Sequence, residues 1–383
     1  MRNFTFYNPT RIEFGKGKEN HIGRYVRESG AESALILYGS ERIRQSGLLG
    51  RIEASLTGKG VAFESMGGVV SNPKLSHVKK AIGLMTAKNL QAVVAVGGGS
   101  VLDSAKAISA GTRYDGDVWD FFIGKAEVKD AVPVFAVMTL AATGSEMNAY
   151  GVVTHDETLE KLAIYSPFLN PRVSVINPEL MASVTPDYLA YSAVDIFAHC
   201  LDLYFSASYL PEYNAALIEN ILRTVMRTTA VLLENPADYD ARGEFAWAAT
   251  MALNGLTFVG VEGNSFDTHM VEHAMSALYN VPHGAGLAVV LPAWMTWYKR
   301  RRPERFQRFA LQIFGVNDSG AGIERLKAWF KSIGAPLTLA EAGIPESGID
   351  ALADNAMGLA RNWGMDGAYT KDSIVEILKL AVV

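Results

Sequence analysis

The sequence predicts an α/β domain built on a doubly wound parallel sheet over residues 1–186, followed by an all-α domain over residues 187–383. Three observations predict it. Short, continuously apolar runs alternate with helical patterns in the first half, as expected of βαβ units whose strands are buried on both faces. Beyond Thr185-Pro186-Asp187 the β-branched runs fade and a 3.6-residue period takes over. A chain of 383 residues is also longer than one ordinary domain, with ample length to bury a core in each of two.

The elements follow in order. Ala34-Leu35-Ile36-Leu37-Tyr38 reads as a strand that stops at Gly39-Ser40, and residues 41–56 read as the helix after it. Residues 62–66 form another short run, closed by Gly67-Gly68. Asn72-Pro73 opens a helical stretch to about residue 89, with Pro near the first helical position, where its missing N–H does no harm. Ala92-Val93-Val94-Ala95-Val96 is apolar without interruption, and residues 133–137 and 173–176 continue the series. In the second half the helical period covers 187–207, 212–233, 239–256, 264–279, 284–298 and 319–333, with Pro and Gly mostly between segments. The one charge run, Lys299-Arg300-Arg301-Arg302, reads as a solvated helix end.

Composition narrows the class. Thirty-five basic against 40 acidic residues give a net charge of −5, and a nucleic-acid binder would instead gather a basic excess on one face. The single cysteine, Cys200, excludes an intramolecular disulfide and points to a reducing compartment. No run of about 18 apolar residues lacks charges or breakers, and the N-terminus has no signal-peptide core. A soluble cytoplasmic protein without nucleic-acid or membrane partners is expected.

Gly97-Gly98-Gly99-Ser100 follows the 92–96 strand and runs into a good helix start at Val101-Leu102-Asp103. Glycines let backbone approach an anion closely, and the free N–H groups of a helix N-terminus bind pyrophosphate. Leu102 stands where a Rossmann fingerprint has its third glycine, and no Gly-Lys-Ser/Thr follows as in a Walker loop. A second loop, Thr139 to Asn148, is rich in small hydroxylated residues suited to a nicotinamide ribose and amide. Read alone, it equally fits a helix N-cap with Glu146 in the first turn.

The helical half carries the stronger signal. Asp195 and His199 stand at i and i+4 on one helix face, and His269 and His273 repeat that spacing. His283 follows within Pro282-His283-Gly284, so four of seven histidines lie between 199 and 283. A lone histidine on an apolar helix is ordinarily a packed core residue; two such pairs plus a third segment point to a metal. Imidazoles with a carboxylate suit Zn²⁺, Fe²⁺ or related divalent ions. Glu272 adjoins the second histidine, so this is no His-Glu-x-x-His protease motif. Cys200 points off this face as a packing residue.

These residues together resemble the iron-dependent (group III) alcohol dehydrogenases, especially the NADPH-dependent butanol dehydrogenase and aldehyde reductase branch. The resemblance spans nearly the whole chain. It rests on the opening Asn3 to Thr10, Gly97 to Asp103, Thr143-Gly144-Ser145-Glu146-Met147-Asn148, Val194 to His199, Thr268 to His273 and Pro282-His283-Gly284. It implies a dehydroquinate synthase-like architecture with a dinucleotide-binding first domain, and a homodimer. It also implies metal ligation by Asp195, His199, His269 and His283, with Fe²⁺ favoured and Zn²⁺ the alternative. His273 is similar to a non-ligand histidine near the nicotinamide that relays a proton. Asp103 and Asn148 match positions lining the catalytic cleft. The cofactor set implied is Gly39, Ser40, Arg42, Asn72, Gly97, Gly98, Gly99, Ser100, Asp103, Thr139, Leu140, Thr143, Ser145, Lys161 and His273.

In that family the residues after the 35–38 strand face the adenosine 2′ position. An acidic side chain there binds a free 2′-OH and repels a 2′-phosphate. Ser40 stands where NAD-specific members carry Asp, which favours NADP(H) over NAD(H), although Glu41 departs from the branch's glycine-rich loop. The implied reaction interconverts primary alcohols and aldehydes by hydride transfer, as a butanol dehydrogenase or aldehyde reductase. Three rival readings are a glycerol-dehydrogenase-like polyol enzyme, a 3-dehydroquinate synthase-type lyase, and a non-catalytic scaffold. The lyase needs several basic pocket residues, whereas residues 252–258 are apolar and small; a scaffold would have lost a ligand.

Overall fold

The computed structural model describes residues 1–382. The chain divides into two compact units, Tyr7–Ser183 and, together, Met1–Phe6 with Val184–Val383.

The first unit contains β1 (Arg11–Phe14), α1 (Ile22–Glu28), β2 (Ser33–Tyr38), α2 (Arg42–Gln45), α3 (Leu48–Thr57), β3 (Ala62–Met66) and α4 (Leu75–Ala87). It continues with β4 (Ala92–Gly97), α5 (Gly99–Gly111), α6 (Trp119–Phe122), β5 (Val134–Met138), β6 (Tyr150–Thr154), β7 (Lys161–Tyr165) and β8 (Val173–Ile176). Six strands form one parallel sheet in the order β1-β8-β5-β4-β2-β3. Every residue of β4 and β5 is buried, as the unbroken apolar runs require of central strands covered on both faces. One face packs Ile36, Val94, Phe135 and Val175 against Ile22, Val26, Leu49, Ile52 and Leu56 of α1 and α3. Each such side chain, fully removed from water, contributes about 1.5–3 kcal/mol. Helix α5 packs on β4 and on β6.

Two expectations are corrected here. The helix expected over 41–56 is two helices, because Gly47 sits in the left-handed region (φ 74°), which a right-handed helix cannot contain. The 150–165 stretch forms an antiparallel hairpin, Thr154 opposite Lys161, that strand-length apolar runs did not reveal.

The second unit holds α7 (Pro186–Ser206), α8 (Glu212–Glu234), α9 (Tyr239–Leu253), α10 (Asp267–Tyr279), α11 (His283–Tyr298), α12 (Pro303–Phe314), α13 (Ser319–Ser332), α14 (Ile349–Asn362) and α15 (Lys371–Lys379). Its core includes the fully buried rings of Phe197, Phe205, Phe245, Trp294, Phe306 and Phe330. Pro292 lies inside α11 rather than between helices. The first six residues group with this unit, not with the sheet: the Arg2 amide donates to the Gly260 carbonyl at 3.1 Å, and the Met1 ammonium donates to the Tyr209 hydroxyl at 2.9 Å. Among the described residues no helix is long and apolar enough to cross a membrane.

Candidate active site

In the helical unit, α7 presents Asp195, His199 and Asp202 at i, i+4 and i+7, one face of the helix. Helix α10 presents His269 and His273, and His283 is the first residue of α11. The side chains converge. Asp195 Oδ1 lies 3.6 Å from His199 Nδ1, 3.8 Å from His269 Nε2 and 3.6 Å from His283 Nε2. Asp195, His199 and His269 are buried, yet Asp195 Oδ1, His199 Nδ1 and His269 Nε2 have no hydrogen-bond partner. Buried polar atoms left unpaired cost about 1–3 kcal/mol each, so their convergence calls for a shared cation. Three imidazoles and one carboxylate suit a first-row divalent ion, so these residues fit the iron their pattern implied.

The ionisation states agree. Burial alone would raise Asp195, but the His199, His269 and His283 rings hold its carboxyl far below the usual range. Burial pushes His199 down to about 4, leaving a neutral ring with a lone pair to give. His269 is also pulled down by burial, but Asp195 and Asp202 outweigh this and hold it up at about 9. A metal at Nε2 therefore displaces a proton there.

Behind the donors stand two fully buried carboxylates. His269 Nδ1 is 2.7 Å from Asp202 Oδ2, and His283 Nδ1 is hydrogen-bonded to Glu272 Oε2. A carboxylate on Nδ1 fixes the tautomer so that the Nε2 lone pair faces the metal point, and it raises the ring's basicity. Asp202 also serves the backbone, where its Oδ1 accepts from the Thr268 amide at 3.0 Å, satisfying the first turn of α10 and locking that helix to α7. Asp267 beside it is raised to about 6 by burial and by Asp202, and takes hydrogen bonds from Ser265 and Tyr369. His273 is buried, with its ring centroid 5.7 Å from that of His283 and 5.5 Å from Trp363, which meets it edge-on. Phe266 meets His269 in the same way at 5.5 Å. Burial drives the Cys200 thiol up, consistent with a packing role.

In the α/β unit, the C-terminal ends of β2, β4 and β5 lie side by side, where doubly wound sheets bind nucleotides. The Gly97–Ser100 and Thr139–Ser145 segments interlock there. A Cβ on Gly98 would sit 3.1 Å from Leu140 Cβ, and one on Gly99 would sit 2.4 Å from Thr143 Cγ2. Glycine is therefore required by packing at both positions. Gly144 turns at φ 60° into a short 3-10 turn, Ser145–Met147, so the loop expected as either nucleotide contact or helix cap is a turn with no α-helix behind it. Asp103, partly exposed, accepts from Ser145 Oγ at 2.7 Å. Lys161 Nζ, buried, donates to Asn72 Oδ1 at 3.1 Å, bringing together residues 89 apart in sequence. Gly39, Ser40 and Arg42 follow β2, with Ser40 and Arg42 exposed.

Residues 9–178 match the description "Iron-containing alcohol dehydrogenase", and residues 189–382 match "Fe-containing alcohol dehydrogenase family, C-terminal". The chain belongs to the iron-containing alcohol dehydrogenase family. Relatives include the probable NADH-dependent butanol dehydrogenase 1 of Bacillus subtilis, 36% identical over 390 residues and the full length of both chains. The NADPH-dependent aldehyde reductase YqhD of Escherichia coli is 33% identical over 364 residues, 92% of each chain. Among solved structures, NADH-dependent butanol dehydrogenase A of Thermotoga maritima superposes with a TM-score of 0.97 at 43% identity, over 100% of this chain and 99% of that one. As an iron-containing alcohol dehydrogenase with the dehydroquinate synthase-like fold, the protein is an NAD(P)-dependent oxidoreductase of alcohols and aldehydes. The lyase and scaffold readings fall away.

Sequence reasoning placed Asp195, His199, His269, His273 and His283 together, and the structure brings all five into one cluster. It passed over Asp202, although its spacing from Asp195 and His199 was a usable signal. It also passed over Lys106, one turn beyond Asp103. Phe266 and Trp363 carry no motif and emerge only from packing.

Proposed function

We propose that the protein is an NADP(H)-preferring reductase of apolar, unbranched aldehydes, working as a cytoplasmic homodimer, with its metal held by Asp195, His199, His269 and His283. The convergence of the buried, unpaired atoms of Asp195, His199 and His269 on one point, with His283 Nε2 3.6 Å from Asp195 Oδ1, is the observation that carries the ligand set. When bound, the metal supplies Lewis-acid polarisation of a carbonyl oxygen, and the reduced nicotinamide supplies hydride. The chain's own residues do the rest. Asp202 and Glu272 hold two imidazoles in one tautomer and orientation. His273, on the face of α10 shared with His269, moves the proton that completes the alcohol, a role suited to an imidazole near neutral pH. Phe266 and Trp363 against the histidine rings exclude water and disfavour the hydroxyl-rich polyols of a glycerol-dehydrogenase-like enzyme.

The cofactor reading rests on the end of β2. Ser40 leaves no carboxylate at the position expected to accept a ribose 2′-OH. The acid beside it, Glu41, is paired with Arg44 Nε at 3.2 Å, and Arg42 adds a further cation. A neutralised acid flanked by cations admits a 2′-phosphate. The names of the relatives point both ways, and the residues after β2 support NADP(H). The test compares kcat/KM for NADPH and NADH with butanal as substrate on protein loaded anaerobically with Fe²⁺. A clear NADPH preference is expected; an NADH preference overturns the cofactor reading, and faster turnover of glycerol than butanol overturns the substrate class. Light scattering on the purified protein tests the dimer.

A further inference from the structure

Helix α5 carries a lysine, Lys106, that is 0% exposed. An ammonium has three donors and no acceptor, and burying one without partners costs several kcal/mol. Here each donor is used. Nζ donates to Ser145 Oγ at 2.8 Å, to Asn148 Oδ1 at 3.0 Å and to the Tyr150 carbonyl at 2.6 Å. All three acceptors belong to one short segment, the turn after β5 and the start of β6. Gly151 lets that segment lie close: a Cβ there would be 3.2 Å from the Asp103 carbonyl and 3.5 Å from Lys106 Cβ.

The bonds also fix polarity. Since Ser145 Oγ accepts from the ammonium, its own proton is directed to Asp103 Oδ1 at 2.7 Å. Since Asn148 Oδ1 accepts from Lys106 and from the Tyr150 amide at 3.0 Å, the amide cannot flip; Nδ2 donates one N–H to the Thr143 carbonyl at 3.4 Å and keeps a second N–H to give. The hydroxyl is set by the cation beneath it, and the amide by that cation together with the Tyr150 amide and the Thr143 carbonyl. A carbon stem with an apolar end would hold the same space, leave the hydroxyl unset and remove one of the bonds that fix the amide.

We propose that Lys106 is a positioning residue for the cofactor's nicotinamide half: it ties Ser145, Asn148 and Tyr150 into one rigid edge and holds the Asn148 amide with its remaining N–H free to donate toward the nicotinamide and its ribose. The inference rests on reading the 143–148 turn as the nicotinamide contact, and the experiment separates the two. Lys106→Met keeps the stem's volume and removes the donors. Dissociation constants are measured by fluorescence for NADPH and for 2′,5′-ADP, which carries only the adenosine half. Lys106→Met weakens NADPH by about tenfold, the effect of one lost charge-assisted hydrogen bond, while 2′,5′-ADP binds as in the wild type and metal content is unchanged. Equal loss of both ligands marks a merely structural lysine and overturns the proposal. So does wild-type NADPH binding in Lys106→Met when Asn148→Ala weakens it. If Asn148→Ala also binds NADPH normally, the reading of the turn itself fails. Should Lys106→Met not fold, Lys106→Gln, which keeps an N–H donor, replaces it: a selective loss of NADPH affinity of about threefold supports the role, and wild-type or non-selective binding overturns it.

Discussion

The two units solve the same problem, holding a charged reactant, with different parts of the chain. On the proposed assignment, the α/β unit would meet its cofactor mainly with backbone: glycines packed against Leu140 and Thr143, and the first turn of α5. The helical unit would meet its metal with side chains, two of them oriented by further buried carboxylates. Backbone recognition is set by strand order and loop packing, so it tolerates changes of side chain but not an added Cβ. Side-chain recognition tolerates neither loss of a donor nor loss of the group behind it.

A paired substitution should break this comparison most sharply. His269→Ala removes a ligand and leaves Asp202 and Asp195 facing each other uncompensated; metal occupancy falls to background and turnover drops by about 10³-fold or more. Its 2′,5′-ADP affinity stays at the wild-type value. Gly99→Ala does the reverse, forcing a shift at Thr143 that costs about 1–3 kcal/mol of α/β-unit stability and cofactor affinity, with metal content intact. Metal analysis and nucleotide titration on both variants check the crossover; coupled losses in either one would contradict it.

Next in size is Asp202→Asn. The isostere leaves α10 capped but no longer fixes the His269 tautomer as a carboxylate does, so metal affinity weakens by roughly 10–100-fold. A competition titration against a chelator of known affinity reads this directly. Unchanged affinity would show that Asp202 serves only the helix terminus.

The most gradual effect, spread over a range of pH, concerns the α/β unit. Burial pushes the Lys106 ammonium down to about 8 from an ordinary 10.5, against the pull of Asp103 on its own helix and Glu146 on the turn. Between those values the folded chain binds fewer protons than the unfolded chain, so this group adds stability as pH rises, by roughly 3 kcal/mol in all. Cofactor affinity runs the other way: full below pH 8, then falling as the ammonium is lost. Denaturation and NADPH titration between pH 7 and 10 should show opposite slopes in the wild type, and Lys106→Met should flatten both.

The same contrast explains what could be read without coordinates. The convergence of Asp195 with the histidines was legible because i, i+4 spacing on a helix maps directly onto one face, and histidine is rare enough for two such pairs to stand out. Six helices of the second half, α7 to α11 and α13, were legible for the same reason of period, whereas α12, α14 and α15 were passed over. The β6–β7 hairpin was not, since its alternating, partly exposed strands look like loop beside the unbroken runs of β4 and β5. Nor was the break at Gly47, which depends on one backbone angle. The pairing of Lys161 with Asn72 and the service of Lys106 to the 145–150 segment are long-range contacts set by topology, which no local pattern encodes.

The central claim is that four residues hold the metal and that His273, buried among them, does not. Fe²⁺ titration of anaerobic apoprotein distinguishes His273→Ala from His283→Ala, two neighbours with rings 5.7 Å apart and a shared proximity to Glu272. His273→Ala should bind one equivalent with wild-type affinity while losing about 10²-fold in aldehyde reduction. His283→Ala should bind at least about 10-fold more weakly, since losing a ligand costs no less than losing its supporting carboxylate. Wild-type metal affinity in His283→Ala with loss in His273→Ala would contradict the assignment.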